Sequence, residues 1–257
     1  MAFSIATWNV NSIRVRAEAV LAWTREHRPD VLCLQEIKCL DEQFPRPDFE
    51  ELGYRVETFG QRTYNGVALL SLEPPGDVVR GLPDDDREAQ RRSIAATVRG
   101  VRIWNVYVPN GQSVGSEKYA YKLDWLRRLR EALAGSVAEH REVVVCGDFN
   151  VAPEPRDVYD AAKVTDDVLF HADVRESLDS ILSLGFVDAF RLHHEEDGAF
   201  SWWDYRLNAF KRRMGFRIDL VLASEALAKR CSTCEIDVEP RRREQPSDHA
   251  PVVATFD

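Results

Sequence analysis

An α/β fold is what this sequence predicts, and three observations predict it. Short apolar bursts rich in Val and Ile alternate along the whole chain with segments of helical spacing. Many of the bursts carry no polar face, so both of their faces need cover, which two packed sheets with helices outside would supply. No stretch rich in Gly, Ser or Pro interrupts the alternation and no period repeats, so residues 1–257 are expected to form a single domain.

The elements follow in order. FSIATWNV reads as the first strand. Residues 14–27 place Val20, Leu21 and Trp23 on one helical face and stop before Pro29. DVLCLQEI, GVALLSL, SIAATV and RIWNVYV are further strands. Residues 116–134 start at Ser116, space Leu123, Leu126, Leu129 and Leu133 by three and four, and meet Gly135 as a stop. EVVVCGDF is a strand, and the long unpatterned segment from Val151 to about Phe170 is expected to be a functional loop. Residues 173–184 form a helix through Val174, Leu178, Ile181 and Leu182, closed by Gly185. IDLVLAS and PVVATF complete the strands.

Composition bounds the class. With 44% hydrophobic and 30% charged residues the chain is an ordinary globular one, not a disordered one. No apolar run approaches the roughly 20 residues that cross a bilayer, and MAFSIATWNV lacks the basic start of a secretory signal. Five cysteines, two of them inside strands, suit a reducing compartment. Cys231 and Cys234 lack the further ligands a zinc site needs and are expected at a helix end. The net charge of −9 argues against a nonspecific nucleic-acid binder but leaves room for a locally positive groove. Four short basic runs, at Arg14/Arg16, Arg91/Arg92, Lys211–Arg213 and Arg241–Arg243, read singly as solvated surface.

The chemistry lies where apolar runs end. Asn9, Glu36, Tyr107, Asp148, Asn150, Asp219, Asp248 and His249 all follow or sit within strand-like segments. Strand ends fix position while loops leave room for a ligand. Glu36 is a hard oxygen donor suited to Mg2+ or Mn2+, and the Asn9 amide could share that cation or hold a phosphate. In GDFN, Asp148 and Asn150 project to one side: an Asp can orient or deprotonate water, and an Asn can donate to a phosphate oxygen. Gly147 allows close approach of another group. Asp219 can fix the tautomer of His249, the best placed of the six histidines; His193 and His194, among acidic neighbours, read as a solvated turn. Each residue also has a plain structural reading, as an Asx turn, a cap or core, and the joint pattern is what carries weight. Like charges about 4 Å apart repel by roughly 4 kcal/mol at an effective dielectric of 20. Four gathered carboxylates would therefore repel an anionic substrate unless a divalent cation reversed the sign. FSWWDYRLNAFKRRMGFRIDL interleaves Phe200, Trp202, Trp203, Tyr205, Phe210 and Phe216 with Arg206, Lys211, Arg212, Arg213 and Arg217. Such a segment suits base or sugar stacking with phosphate contact, and equally a packed core.

LQEIK, GDFN, SWWDYR, RIDLVLAS and SDHAP in that order, within a match from TWNVNS to SDHAPVVATF, resemble the exodeoxyribonuclease III family of apurinic/apyrimidinic endonucleases. That family is part of the wider endonuclease/exonuclease/phosphatase group. The resemblance implies a four-layer α/β/β/α sandwich with the site at one edge of the paired sheets. It implies that Asn9 and Glu36 hold Mg2+ (or Mn2+) with Asp248 nearby, that Tyr107 and Asn150 bind the scissile phosphate, and that Asp148 positions or activates water. It implies that Asp219 pairs with His249 as charge stabiliser or base. Asn11, Lys38 and Asn110 would contact DNA or support the site. Trp202, Phe216 and Ile218 would wall a pocket for an extruded abasic sugar, and Arg206 would press into the duplex beside it. The implied reaction is hydrolysis 5′ to abasic sites in duplex DNA, with 3′-end cleaning and 3′–5′ exonuclease action on blocked 3′ ends. The resemblance further implies a monomer acting in the cytoplasm on the nucleoid. The rivals are a related metal-dependent phosphodiesterase that mainly trims 3′ ends or takes a non-DNA phosphate ester, and a DNA-binding module with a dead site.

Overall fold

The computed structural model describes residues 2–83, 85 and 90–257. The chain begins with strand β1 (Phe3–Asn9), helix α1 (Ile13–His27), β2 (Val31–Gln35), the short α2 (Arg46–Glu51) and β3 (Arg55–Phe59). It continues through β4 (Val67–Ser71), β5 (Gly76–Arg80), β6 (Ser93–Val98), β7 (Val101–Tyr107), α3 (Glu117–Glu139) and β8 (Val143–Asp148). Then come α4 (Ala172–Leu182), β9 (Phe186–Asp188), β10 (Asp219–Ser224), α5 (Glu225–Ala228), β11 (Cys231–Ile236) and β12 (Val252–Phe256).

Among the described residues these strands form two six-stranded sheets, ordered β11-β12-β1-β2-β4-β3 and β5-β6-β7-β8-β10-β9. Both are mixed: β1 runs parallel to β2 and β7 parallel to β8, and the remaining neighbours are antiparallel. The sheets pack face to face over Ile5, Cys33, Leu69, Ile103, Val144, Cys146, Val221 and Ala254. Trp8, Leu32 and Leu34 on the outer face of the first sheet pack with Val20 and Trp23 of α1. Trp104, Val145 and Leu222 on the outer face of the second pack with Leu126 and Leu129 of α3 and Leu178 of α4. The layers are therefore α/β/β/α, and the purely apolar strands are those covered on both faces.

All eight apolar runs form strands, and the four unforeseen strands, β3, β5, β9 and β11, are the four sheet edges. An edge strand tolerates and uses polar side chains: β5 reads GDVVR and is largely exposed. The CxxC pair lies in edge strand β11, not at a helix end; Cys231 is partly exposed, Cys234 is buried, and both are free thiols. Helix α3 starts where Ser116 accepts a hydrogen bond from the Tyr119 N–H, as its cap spacing predicts. It runs past Gly135 to Glu139, where Ser136 accepts from the buried Trp104 indole at 2.9 Å, a contact of the same order as the ~1 kcal/mol helix penalty of glycine. The segment 151–170 is packed rather than open: Val151, Val158, Val164 and Phe170 join the core beneath it. His194 is not solvated either, since its ring stacks on Phe190 with centroids 4.3 Å apart and Nε2 lies 3.0 Å from the Cys234 carbonyl.

Candidate active site

Six strands bring their same-side ends together. Asn9 ends β1, Glu36 follows β2, Tyr107 ends β7 and Asp148 ends β8, while Asp219 opens β10 and His249 lies just before β12. The parallel register sets Tyr107 opposite Asp148, and the antiparallel register sets Asp219 opposite Asp148 on its other side. Asn9 bridges the two sheets: its Nδ2 donates to Glu36 Oε1 and to Asp148 Oδ2, each at 2.9 Å. Residues remote in sequence thus meet because each terminates a strand at the same rim.

A buried chain of acids and one imidazole forms the centre. His249 Nδ1 lies 2.9 Å from Asp219 Oδ2, and its Nε2 lies 3.7 Å from Asp148 Oδ2. Asp219 is held by Ser201, whose hydroxyl donates to Oδ2 at 2.6 Å while accepting the N–H groups of Ile218 and Asp219. Burial pushes the Asp148 carboxyl up, Asp219 and Glu36 add to that, and it reaches about 7 although His249 pulls it back. Burial alone opposes charge on His249, but Asp219, Asp148 and Asp248 together outweigh it and raise the imidazole to about 10. The ring is then an imidazolium clasped between two aspartates, with the Nδ1 proton aimed at Asp219.

Glu36 Oε2 pairs with Lys38 at 2.7 Å, and Lys38 also donates to Asn11 Oδ1 at 2.6 Å. Ligand atoms of Glu36, Asp148 and His249 lie within 4.8 Å of one another, a candidate metal site. Of the three, Glu36 is a carboxylate whose charge a divalent cation would share, whereas His249 carries a proton and acts as counter-ion. Asn9 turns its amide nitrogen to the carboxylates and gives its oxygen to the Asn11 N–H at 3.0 Å, so in this arrangement it orients the acids. Asp248 accepts from Asn11 Nδ2 and from the Trp202 indole, each at 3.0 Å. Burial works against charge on Asp248, yet His249 and those two donors hold it below the usual carboxylate range.

Tyr107 stands at the rim with the Arg92 guanidinium 4.5 Å over its ring. Burial, then Glu36, raise its hydroxyl well above the usual phenol range, so it remains a donor. The Asn150 N–H donates to Asp148 Oδ1 at 2.9 Å, which is the Asx turn the local sequence allows. Its side chain accepts from Asn110 Nδ2 at 3.2 Å and donates to the Val108 carbonyl at 3.0 Å. Left-handed backbone clusters here in non-glycine residues, with φ of 44° at Asn11, 49° at Glu36, 51° at Lys38 and 49° at Asn150. Such strain persists where packing over-determines it.

The aromatic segment divides. Phe200 and Trp203 are buried in a small satellite core with Ala209 and Ala250. Trp202 is partly exposed, stacked edge-on to Phe216 at 5.7 Å and 6.4 Å from the His249 ring. Ile218 is 1% exposed and Phe216 5%, and both belong to the main core, so Trp202 presents the more open aromatic face. Arg217, 1% exposed, is no phosphate contact: it is locked between Asp157 at 2.6 Å and Asp188 at 2.7 Å. Arg206 is exposed and clamps Asp204, apart from the acid cluster.

Three supporting residues escaped the sequence reading. Ser201 and Ser247 carry no pattern that marks them; Ser247 donates to the Asn9 carbonyl at 2.7 Å and accepts the His249 N–H. Lys122 did leave a signal, because it falls on the buried stripe of α3 between Tyr119 and Trp125. Its ammonium donates to the carbonyls of Asn110 at 3.1 Å, Asn150 at 2.7 Å and Val168 at 2.6 Å. Burial pushes Lys122 down to about 7, with Asp148 and Asp167 opposing.

The Endonuclease/Exonuclease/phosphatase family profile matches residues 6–249. Exodeoxyribonuclease III of Haemophilus influenzae is 34% identical over 262 residues, covering 97% of this chain and 98% of that protein. An AP endonuclease from Archaeoglobus fulgidus superposes with a TM-score of 0.95 at 46% identity over 99% of both chains. A 3′ phosphatase from Neisseria bound to product DNA hairpin does so with a TM-score of 0.97 at 41% identity, again over 99% of both chains. A site of clustered acids and one imidazole at the rim of two packed sheets, on a chain so matched, places this protein in the endonuclease/exonuclease/phosphatase family as a DNA repair nuclease of the exodeoxyribonuclease III type.

Proposed function

We propose that the protein hydrolyses the phosphodiester 5′ to abasic sites in duplex DNA, and that the same site cleans blocked 3′ ends and trims them 3′ to 5′. The observation that carries the reading is the Asp219–His249–Asp148 chain set beside Glu36, with Tyr107 and Asn150 as flanking donors. Asp148 orients the attacking water and takes its proton, for which a carboxyl pushed to about 7 by burial is basic enough near neutral pH. The His249 imidazolium, fixed by Asp219, offsets the charge that gathers on the phosphate oxygens. Tyr107 donates to one of those oxygens, and the Asn150 amide to another. Glu36, oriented by Asn9 with Asp248 close by, would hold Mg2+ (or Mn2+), which when bound neutralises the acids and polarises the phosphate. Trp202 and Phe216 offer an aromatic wall for an extruded sugar, whose missing base makes extrusion cost little stacking. Asn11, Lys38 and Asn110, hydrogen-bonded at the rim, contact the backbone. Arg206, exposed beyond them, reaches the duplex. The protein acts as a monomer in the cytoplasm.

A second reading, favoured by the Neisseria 3′ phosphatase, is an enzyme that works mainly on 3′ ends. Duplexes carrying an internal abasic analogue or a nick with a 3′-phosphate, each with Mg2+ and with EDTA, separate the two. Cleavage of the first with Mg2+ is expected. Removal of the 3′-phosphate without internal cleavage would transfer the assignment to the second reading, and no reaction on either duplex would defeat both.

A further inference from the structure

Beside the cleft lies a pocket of about 490 Å³ between the turn at 204–211 and the turn at 241–246. Its lining includes Lys211, Arg241, Arg242 and Arg243 against one acid, Asp204, whose carboxylate Arg206 already holds at 2.7 Å. That is a concentration of positive charge on a chain of net charge −9. Arg242 leans on Glu239 at 3.1 Å and Arg243 only loosely on Glu26 at 3.8 Å. Arg241 differs in kind. It is 8% exposed, has no acidic partner among the described residues, and its Nε is buried without a hydrogen-bond partner. Its guanidinium stands 5.2 Å from the Tyr205 ring and 5.1 Å from the Phe210 ring, and one Nη reaches the Trp203 carbonyl at 3.4 Å. A guanidinium kept out of water with no counter-ion is costly, and an anion drawn into the pocket would relieve it.

We propose that this pocket is a second anion subsite, which holds a backbone phosphate of the DNA away from the scissile bond. The proposal rests on the nuclease reading and names a binding element that reading does not contain. Continuity with the cleft selects DNA over a free anion. The Tyr205 hydroxyl, one wall of the pocket, accepts from Arg16 at 3.0 Å and meets Asn11 Nδ2 at 3.5 Å. Asn11 in turn touches Lys38 and Asp248 at the centre. A strand leaving the acid cluster across Asn11 passes the Arg16 guanidinium, held on the Tyr205 hydroxyl, before it reaches Arg241. Basic runs that look like solvated surface one at a time thus form a track that phosphates at regular spacing can follow.

The test uses Lys211→Gln/Arg243→Gln, whose side chains are solvent-facing, and Arg241→Met, which keeps the stem and removes the charge. Binding is measured in EDTA over a range of salt, with a long duplex and with one trimmed until its arms end beside the abasic analogue. For the long duplex the slope of log K against log salt should fall by about 1 for each phosphate that the variant no longer neutralises, with weaker binding. The trimmed duplex should bind wild type and variants alike. Equal slopes and equal length dependence in wild type and variants would overturn the subsite. So would inorganic phosphate that competes in wild type while length dependence stays unchanged, since the pocket would then take a free anion. Should Arg241→Met fail to fold by thermal melting, the two exposed changes decide. A wild type that binds the duplex but never cuts it with Mg2+ refutes the nuclease reading and leaves this comparison readable.

Discussion

At the scale of single residues, Asp148 and His249 share one problem and solve it jointly. Each alone would be an expensive buried ion; set 3.7 Å apart, with Asp219 behind the imidazole, they are mutually compensated. Asp148→Asn should lower single-turnover cleavage by about 100-fold or more while leaving duplex affinity near wild type, measured by quench-flow and fluorescence anisotropy. Near-normal turnover would remove Asp148 from the mechanism. His249 sets a pH dependence whose sign follows from its raised pKa. It stabilises the fold fully below its ordinary value of 6.5, and that contribution is lost as pH rises through about 10. Wild type should therefore lose more stability between pH 7 and pH 10 than His249→Gln does in urea titrations, and parallel losses would contradict the ion-pair account. These residues were legible in the sequence because each ends an apolar run. The burial of Arg217 between Asp157 and Asp188 was not legible, because a solvated cation and a buried ion pair look alike in one dimension.

Elements hold these side chains in register. β8 lies so close to β7 that a Cβ on Gly147, at φ +147°, would stand 1.9 Å from the Val106 carbonyl oxygen. The close approach expected at Gly147 is thus made by the neighbouring strand itself. Gly147→Ala should destabilise the protein by roughly 3 kcal/mol or more in thermal or urea unfolding; a variant of wild-type stability would show that the strands can part without cost. Lys122 is the equivalent device on α3, one ammonium tying the backbone after β7 to the backbone after β8 and to the loop at Val168. Lys122→Met leaves three carbonyls without their donor and should cost about 2–3 kcal/mol, with a fall in turnover as Asn110 and Asn150 loosen. Unchanged melting and turnover would make the lysine a bystander. The unforeseen strands are the sheet edges, where polar side chains erase the apolar signal that central strands carry.

At the scale of the whole molecule, the fold gathers Glu36, Asp148, Asp219 and Asp248 at one rim and supplies too little positive charge to balance them there. Chelation with EDTA should therefore abolish duplex cleavage, and Mg2+ should restore it. Because burial holds Asp148 at about 7, apparent Mg2+ affinity should rise with pH by up to about tenfold per unit below that value. Affinity that is flat from pH 6 to pH 7, read from activity against Mg2+ concentration, would separate the cation from Asp148. The sequence by itself determined the α/β class, the central strands and which polar residues end them, since burial on both faces writes itself into apolar runs. Only the tertiary structure decided that Asn9 Nδ2 lies between Glu36 and Asp148, that Arg241 is buried with no acid paired to it among the described residues, and that Lys122 joins three carbonyls from two connections. Those facts depend on what stands across a gap from each side chain, and a linear pattern records a residue's burial more readily than its neighbours.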